Sequence, residues 1–374
     1  MLYEPLRFIP TRTHSTLTSS LDQQPDRPTK FTPGLCEHIT STYVASADKN
    51  LVALFAGPYR PGSNSKGGYL IYDASKNSLS TIPQPPYDYG RGDVGEGAVV
   101  MCLEDGGYVL GELTKVTGSN PAEVVLCTWQ SSTANWVVNK AAGFPPPPPP
   151  PPELSYPFHL FNVDTCFSYG GSTLCWVDLS KGMVVCDLRA VIRHGVGPEF
   201  RLVPLPGGCP TYNRGQRQRT PNPEEFRNMA CVGGSIKFVT MDGYGERPGN
   251  EVTMTVSTLS PDLCSWTKGT VCHVVREIWA SESHLSLALP RVLPSFPVMS
   301  VDEDDVVYLI FTDVDVAVDG RIQEFKMQYL LRVDMQQNKV SHHPKTPLRR
   351  SSLAHQPRDE DAEHPVGLPA AGES

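Results

Sequence analysis

The sequence predicts an all-β fold: a β-propeller-like ring of about five or six antiparallel sheets, with closure of the ring left open. Three observations predict it. Residues 174–206 read as a strand, a tight turn, a second strand, an irregular link and a third strand, and weaker copies of the first hairpin recur along the chain. Proline, at 36 of 374 residues, is about twice its usual share, which suits short strands with punctuated loops. No sustained helical period appears, apart from a short helix expected near residues 274–289.

Within residues 174–206, Cys175, Val177 and Leu179 alternate with Trp176, Asp178 and Ser180, the period of two that sends them to opposite faces of a strand. Lys181-Gly182 supplies a turn, and Met183 to Cys186 returns as an apolar, β-prone run. Pro204 and Pro206 end the last strand, because proline cannot donate to a ladder. Trp176 alone would hide ~150–250 Å², yet a single hairpin is marginal, so the unit needs neighbours.

Residues 1–38 are rich in Thr, Ser, Pro and charge and read as an extended or disordered lead-in, in which residues 6–9 have the character of an edge strand. The repeating body is assigned to residues 39–345. It opens with a hairpin at 44–56 around Asp48-Lys49-Asn50, then strands at 69–72 and 79–82, and at 98–103 and 108–113 around Glu104-Asp105-Gly106-Gly107. Strands at 124–129, 136–138 and 159–169 lead to the central stretch. Beyond it come 229–232 and 236–241 around Gly233-Gly234, 252–259, 266–275, 298–301, 306–312, 325–333 and 339–341.

Five copies of an outer hairpin align. In three, an aspartate closes one strand and an apolar residue follows six positions on: Asp73 and Leu79, Asp178 and Val184, Asp334 and Val340. In two, a threonine precedes a tryptophan by eight: Thr128 and Trp136, Thr258 and Trp266. An aspartate at that place bonds the backbone of the turn it opens. The spacing of the copies fits four-stranded blades with variable loops. Eight consecutive prolines, 145–152, form a polyproline rod in an insertion at 144–155 that falls between repeats. Residues 346–374 carry too few apolar side chains to fold.

Net charge is −8 with a pI near 5.7, which argues against a general nucleic-acid binder or a binder of anionic membranes. No apolar run approaches the ~18 residues of a membrane span, and the first residues lack the long apolar core of a secretory signal. Ten cysteines without a CxxC pair, several inside strand patterns, read as small apolar residues in a reducing compartment. The expectation is therefore a monomer of cytosol or nucleus.

Several long runs resemble a known family: WVDLSKGMVVCDL (176–188), FRLVPLP (200–206), FRNMACVGGSIKFVTMDGY (226–244), SPDLCSWTKGTV (260–271), IWASE (278–282) and LPRVLPSFPVMSVDEDDVVYLIFTDVD (289–315). Together they are similar to the large, grass-expanded plant family catalogued as domain of unknown function 1618. The likeness is strong over residues 156–341 and looser over 39–144. It implies a plant protein with a propeller-like body akin to F-box-associated domains, and it implies no catalytic residues.

The motifs that carry chemistry elsewhere are incomplete here. Asp302-Glu303-Asp304-Asp305, with Asp313, Asp315 and Asp319 beyond, is the densest carboxylate cluster, but Ala317 breaks the EF-hand pattern and no glutamate closes it. A solvated acidic turn is the better reading. Gly170-Gly171-Ser172 and Gly233-Gly234-Ser235 lack the GxSxG spacing of a nucleophile elbow and read as β-turns. His159, His194, His273 and His284 have no metal-ligand spacing. Arg214, Arg217 and Arg219 form a small basic island without interleaved aromatics, a solvated loop. Arg349-Arg350-Ser351-Ser352 has the form of a basophilic kinase site with Ser352 as acceptor, a pattern that also arises by chance. The proline run suits an aromatic groove but lacks the flanking basic residue that orients many such ligands, so a neutral insertion is favoured.

No catalytic, cofactor-binding or metal-binding residue is therefore assigned, and no cofactor is expected. The function read from the sequence is a non-enzymatic interaction module for an unidentified protein partner. The alternative is an enzyme or small-ligand binder at the channel mouth, which would need a funnel of convergent His, Asp, Glu or Arg; a channel plugged by apolar side chains favours the module. A third reading is a degenerate product that no longer closes its ring.

Overall fold

A computed structural model describes residues 41–57, 67–86, 95–116, 123–140, 161–194, 197–209, 221–272, 274–286, 291–316, 322–337 and 339–342. The described residues form five four-stranded antiparallel sheets in sequence order, each built from four consecutive strands and arranged as the blades of a propeller. Blade 1 holds β1 (Ser41–Asp48), β2 (Leu51–Gly57), β3 (Gly68–Asp73) and β4 (Ser78–Pro83). Blade 2 holds β5 (Ala98–Cys102), β6 (Tyr108–Val116), β7 (Glu123–Gln130) and β8 (Asn135–Lys140). Blade 3 holds β9 (Thr165–Tyr169), β10 (Thr173–Asp178), β11 (Gly182–Asp187) and β12 (Phe200–Pro204). Blade 4 holds β13 (Arg227–Val232), β14 (Ser235–Asp242), β15 (Thr253–Leu259) and β16 (Trp266–Cys272). Blade 5 holds β17 (Ser295–Met299), β18 (Val306–Val316), β19 (Ile322–Asp334) and β20 (Lys339–His342). Among the described residues no sheet mixes strands from the two ends of the chain, so hydrogen bonds between them do not close the ring.

The blades stack because each sheet is apolar on both faces. In β10, Leu174 and Trp176 pack toward blade 2 while Cys175 and Val177 pack toward blade 4, and all four are fully buried. Four core clusters result. Phe55, Tyr69, Ile82, Leu110 and Trp129 join blades 1 and 2; Val99, Leu126, Leu174, Trp176 and Val184 join blades 2 and 3. Cys175, Val177, Met183, Phe238 and Leu259 join blades 3 and 4; Val239, Met254, Val307, Leu309 and Phe311 join blades 4 and 5. Among the described residues no buried apolar cluster joins blade 5 to blade 1.

Tryptophans tie successive blades together. Trp136, on the outer strand of blade 2, donates its indole N–H to the carbonyl of Pro83 in blade 1 at 2.8 Å, and Trp266 of blade 4 does the same to Pro204 of blade 3 at 2.8 Å. Trp176 reaches from blade 3 to the carbonyl of Gly97, ahead of β5, at 2.7 Å. The Trp176 bond satisfies a donor that burial would otherwise leave without water, while the half-buried Trp136 and Trp266 make theirs at exposed positions.

The expected aspartate turns form. Asp73 accepts from the Ser75 and Lys76 backbone N–H groups, and Asp334 from those of Gln336 and Gln337. Asp178 is fully buried and accepts from the N–H groups of Asn162 and Ser180, the Ser180 hydroxyl and the Lys181 ammonium. Gly182 has φ +149°, and a Cβ there would lie 2.5 Å from the Val203 carbonyl oxygen, so this turn admits no side chain. Replacing Asp178 with alanine strands buried backbone donors at both ends of this network. Urea denaturation is expected to show a loss of about 1–3 kcal/mol, and an unchanged midpoint would remove the turn from the list of fixed points.

Two expectations need correction. Asp178 and Val184 do not belong to an outer hairpin: they sit on β10 and β11, the second and third strands, whereas Asp73–Leu79, Thr128–Trp136, Thr258–Trp266 and Asp334–Val340 span third and fourth strands. The irregular link after β11 contains a helix, α1 (Leu188–His194), begun by the Asp187 carboxylate accepting from the Arg189 N–H at 2.8 Å. The helix expected near 274–289 appears as two short ones, α2 (Val274–Ala280) and α3 (Glu282–Ser286), and Val275 and Ile278 of α2 enter the core between blades 4 and 5.

Candidate functional site

Antiparallel order gives each blade two unlike ends. Connections between first and second strands, and between third and fourth, leave from one end of the ring; those between second and third strands, and from blade to blade, leave from the other. The first end carries short turns in every blade except blade 3, where residues 188–199 include α1. Between second and third strands, the second end carries the longer connections in blades 1, 2 and 4, whereas residues 179–181 make a tight turn in blade 3 and residues 317–321 join the strands of blade 5. Residues 84–97, 141–164, 205–226 and 273–294, the links between successive blades, all leave from this long-connection end. Leu285 of α3, 62% exposed, is the most exposed large apolar side chain among the described residues and lies in one of these links.

The centre of the ring is filled where it can be seen. The inner strands β1, β5 and β9 meet there, although blades 1 and 3 are not neighbours. Such closeness demands small side chains. The Cys166 thiol of β9 lies 3.6 Å from the carbonyl oxygen of Ala45 on β1 and 3.4 Å from that of Ala98 on β5. Ser46 accepts from the Val100 N–H at 2.8 Å and Asp48 from the Cys102 N–H at 2.7 Å, which stitches β1 to β5. These contacts build a plug of alanine, serine and cysteine, and the funnel of convergent charged groups required by the enzyme reading is not formed among these strands.

A polar cleft of about 540 Å³ opens off the axis at the short-turn end, between blades 1 and 2. Lys49, Asn50, Ser75, Lys76, Cys102 and Tyr108 are among its lining residues. Its groups are engaged in holding the turns: Asp73 accepts from Asn50 at 2.6 Å and pairs with Lys76 at 2.9 Å. The Ser75 hydroxyl, then Lys76, holds the Asp73 carboxyl well below the usual carboxylate range. Burial pushes the Cys102 thiol up to about 11 and raises the Tyr108 phenol. The thiol is thereby kept protonated near neutral pH and is a poor nucleophile.

The acidic cluster is a turn with partners. Asp304 pairs with Lys237 of blade 4 at 3.3 Å, Glu303 takes Arg332 at 2.7 Å, and Asp305 accepts from the Gln336 amide at 2.7 Å. The Arg332 guanidinium holds the Glu303 carboxyl below its ordinary value. Gly170-Gly171 and Gly233-Gly234 are left-handed at both positions, as a two-residue hairpin turn requires, and both occupy the first turn of a blade. His284 is buried with its ring edge-on to Phe311, centroids 5.9 Å apart, a packing role. Among the described residues no three His, Cys, Asp or Glu side chains converge as metal ligands. The side chains of Asp313, Asp315, His194 and His273, and the whole of His159, Asp319, the arginines at 214, 217 and 219, the proline run, and the segments 1–38 and 346–374 with Ser352 lie outside the described residues.

None of the eight cysteines whose side chains are described forms a disulfide. Burial pushes the Cys127 and Cys186 thiols up to about 12 and raises Cys175 well above its ordinary value. They are core residues, as their strand positions predict.

Arg227 and Glu112 are among the buried charged residues not singled out from the sequence. Arg227, 1% exposed, donates to the Leu179 carbonyl at 2.8 Å and lies over the Phe226 ring, which fixes the tight turn of blade 3 to blade 4. Glu112 on β6 is fully buried between blades 1 and 2. One carboxyl oxygen accepts from the Gly95 N–H; the other makes no hydrogen bond of good geometry, although the buried Tyr69 hydroxyl lies close enough to favour the charged form. Burial pushes the Glu112 carboxyl up to about 7, against the pull of Tyr69 and the Gly95 N–H. The signal for Glu112 was legible: in YVLGELTKV it shares the parity of the core residue Leu110. Both residues lie at interfaces between blades, so their geometry is that of structural groups.

Residues 176–308 match the model of a family described as protein of unknown function, DUF1618, a span from Trp176 on β10 to Tyr308 on β18 that includes the whole of blade 4. No curated protein matches the chain. Among solved structures, the β-propeller domain of the Trilobed protease from Pyrococcus furiosus aligns at 9% identity and a TM-score of 0.36, over 82% of this chain and 70% of that one. A GH43 β-1,3-galactosidase solved with galactodeoxynojirimycin aligns at 10% identity and a TM-score of 0.34, over 74% of this chain and 90% of that one. A glycosyl hydrolase from Bacteroides ovatus aligns at 10% identity and a TM-score of 0.30, over 82% and 85%. At these scores none of the structures carries an argument about the chemistry of this chain.

Proposed function

We propose that the protein is a non-enzymatic protein-interaction module of a plant, a monomer of cytosol or nucleus that engages a protein partner through the long-connection end of its ring. The observation that carries this reading is the filled centre, where Cys166 sits against Ala45 and Ala98 in place of a funnel of charged groups. A propeller whose axis is occupied by small side chains still presents connecting loops at its ends, and loops on a rigid scaffold are where binding residues concentrate. The long links and the exposed Leu285 favour one end over the other. The plant setting and the likeness to F-box-associated domains rest on the resemblance carried by the sequence runs between residues 176 and 315. Cysteines that form no disulfide among the described residues suit a reducing compartment.

Affinity capture from plant tissue extract tests this, with mass spectrometry of the retained proteins and three baits. The wild-type chain should retain a partner that is lost from Leu285→Asp with Arg247→Glu at the long-connection end. The partner should persist with Asn50→Ala and Lys76→Ala at the short-turn end. Loss through the short-turn bait alone, or retention by all three, would move the binding surface away from the long-connection end. Turnover of a small substrate that stops in the short-turn bait would replace the module with an enzyme.

A further inference from the structure

Two of the blade interfaces are built alike, and one difference between them leaves a cleft. Trp136 of blade 2 bonds the Pro83 carbonyl of blade 1, and Trp266 of blade 4 bonds the Pro204 carbonyl of blade 3. Three residues before each proline stand Ser80 on β4 and Arg201 on β12. Alternation along a strand puts Ser80 on the face of Ile82, toward blade 2, and Arg201 on the face of Val203, toward blade 4. Arg201 spans its interface: two guanidinium nitrogens donate to the Asp262 carbonyl, in the β15–β16 turn, at 3.4 Å each. A serine is too short for that reach, and Ser80 stays exposed on a face whose Tyr69, Ile71 and Ile82 are buried. The cleft of about 540 Å³ opens at this place, between Ser80 on one wall and Ser131, beside the corresponding β7–β8 turn, on the other.

The cleft has a surplus of donors. Asp73, the carboxylate in its lining, is saturated. Its Oδ1 accepts from the Asn50 amide, the Ser75 N–H and hydroxyl and the Lys76 N–H, and its Oδ2 pairs with the Lys76 ammonium. Asp48 and Asp105, just outside the lining, accept from the Cys102 and Gly107 N–H groups. On the donor side, Lys49 has no ion pair among the described residues, and its charge is felt by the Cys102 thiol on the opposite wall. The Lys76 side chain is 68% exposed and has ammonium protons to spare. The Ser78 hydroxyl makes no hydrogen bond among the described residues, and Ser131 accepts from the Tyr108 N–H, which leaves its own proton to donate. Two ammonium groups, free hydroxyls and a saturated carboxylate suit an anion rich in acceptors. The volume falls within the ~300–1,000 Å³ of small-molecule sites, more than a bare oxyanion fills.

We propose that this cleft is a binding site for a small phosphate ester with a hydroxylated body, the sugar-phosphate class. The phosphate oxygens take the Lys49 and Lys76 ammonium groups, each acting as a point charge. The Ser78 and Ser131 hydroxyls bond the body, which lies over Leu51 and Ile71. The turns that carry these groups are already fixed by the Asp73 bonds, so little order is lost on binding. The site lies off the axis at the short-turn end, and it stands apart from the partner surface proposed at the other end.

Isothermal titration of the full chain with glucose-6-phosphate, inorganic phosphate and glucose tests this. The ester should bind saturably, inorganic phosphate about tenfold more weakly, and glucose without measurable heat. Lys49→Gln should weaken the ester about tenfold, and Lys49→Arg should restore most of the affinity. Ser80→Leu puts bulk where Arg201 stands in the like interface, and it should abolish binding with far-ultraviolet circular dichroism and the denaturation midpoint unchanged. Absence of saturable binding by the ester would overturn the proposal. So would glucose or inorganic phosphate binding as tightly as the ester, or full affinity in Lys49→Gln or in Ser80→Leu. Capture of a protein partner by Leu285 and Arg247 is read separately, so failure here leaves that reading standing.

Discussion

Trp176→Ala is expected to cost about 3–5 kcal/mol, the range for removing a large aromatic side chain from a packed core, and to loosen blade 3 from blade 2. Trp176 is completely buried, lies edge-on to Phe200 with centroids 6.1 Å apart, and donates its indole N–H to Gly97. Alanine removes the ring and leaves a cavity between two rigid sheets whose backbones are held by their own ladders, so collapse cannot fill it. Trp176→Phe separates the two contributions. It keeps most of the apolar contact and loses the indole bond, but Gly97 still accepts from the Leu113 N–H at 3.2 Å. No orphaned carbonyl results, and the loss should fall to about 0.5–1.5 kcal/mol, the net worth of one hydrogen bond. Chemical denaturation of the three proteins, with hydrogen exchange of β5 and β10, measures both. An alanine variant within 1 kcal/mol of wild type, or a phenylalanine variant as weak as alanine, would show that this tryptophan does not hold the two blades together.

The architecture was legible because a propeller repeats its local problem. Each blade must turn tightly at its short-turn end, and the aspartates at 73 and 334 announce those turns. The two Thr–Trp copies, at 128–136 and 258–266, turned out to mark the tryptophan bonds to the preceding blade. Position within a blade was not legible at the stretch of strongest pattern. A hairpin's energetics are local: Asp178 and the Lys181-Gly182 turn look the same whether the hairpin joins strands two and three or three and four. Only its pairing with β9 on one side and β12 on the other fixes its place. Blade 3 reverses the loop lengths of blades 1, 2 and 4, with its tight turn at the end where those blades have their longer loops, so its hairpin looks like an outer one. Helix α1 left a trace that went unread, an aspartate cap followed by Leu188, Val191 and Ile192 at helical spacing. The candidate functional surface was less legible than the fold, because it depends on which connections share an end of the ring, a property of topology rather than of any motif.

Glu112 is expected to make the protein less stable as pH rises from about 4.5 to about 7. Its carboxyl is pushed up to about 7 in the folded chain from an ordinary value of 4.5, chiefly by burial. Between those two values the folded state holds a proton that the unfolded chain has released. The unfolded state therefore binds fewer protons, and stability must fall with increasing pH across that window. The full penalty, reached above pH 7, is about 3 kcal/mol at about 1.4 kcal/mol per pKa unit. Below pH 4.5 both states are protonated and the penalty vanishes. Glu112→Gln keeps an acceptor for the Gly95 N–H and carries no charge into the interface with Tyr69 and Cys127, so it should match wild type at pH 4.5 and exceed it by up to about 3 kcal/mol at pH 8. The comparison is between two proteins at each pH, which cancels the titration of every other group. Denaturation midpoints at pH 4.5 and pH 8 are sufficient. Should the glutamine variant be the weaker protein at pH 8, the ionised carboxylate must be stabilised between blades 1 and 2, and the orphaned oxygen of Glu112 would need a bound donor in the native state.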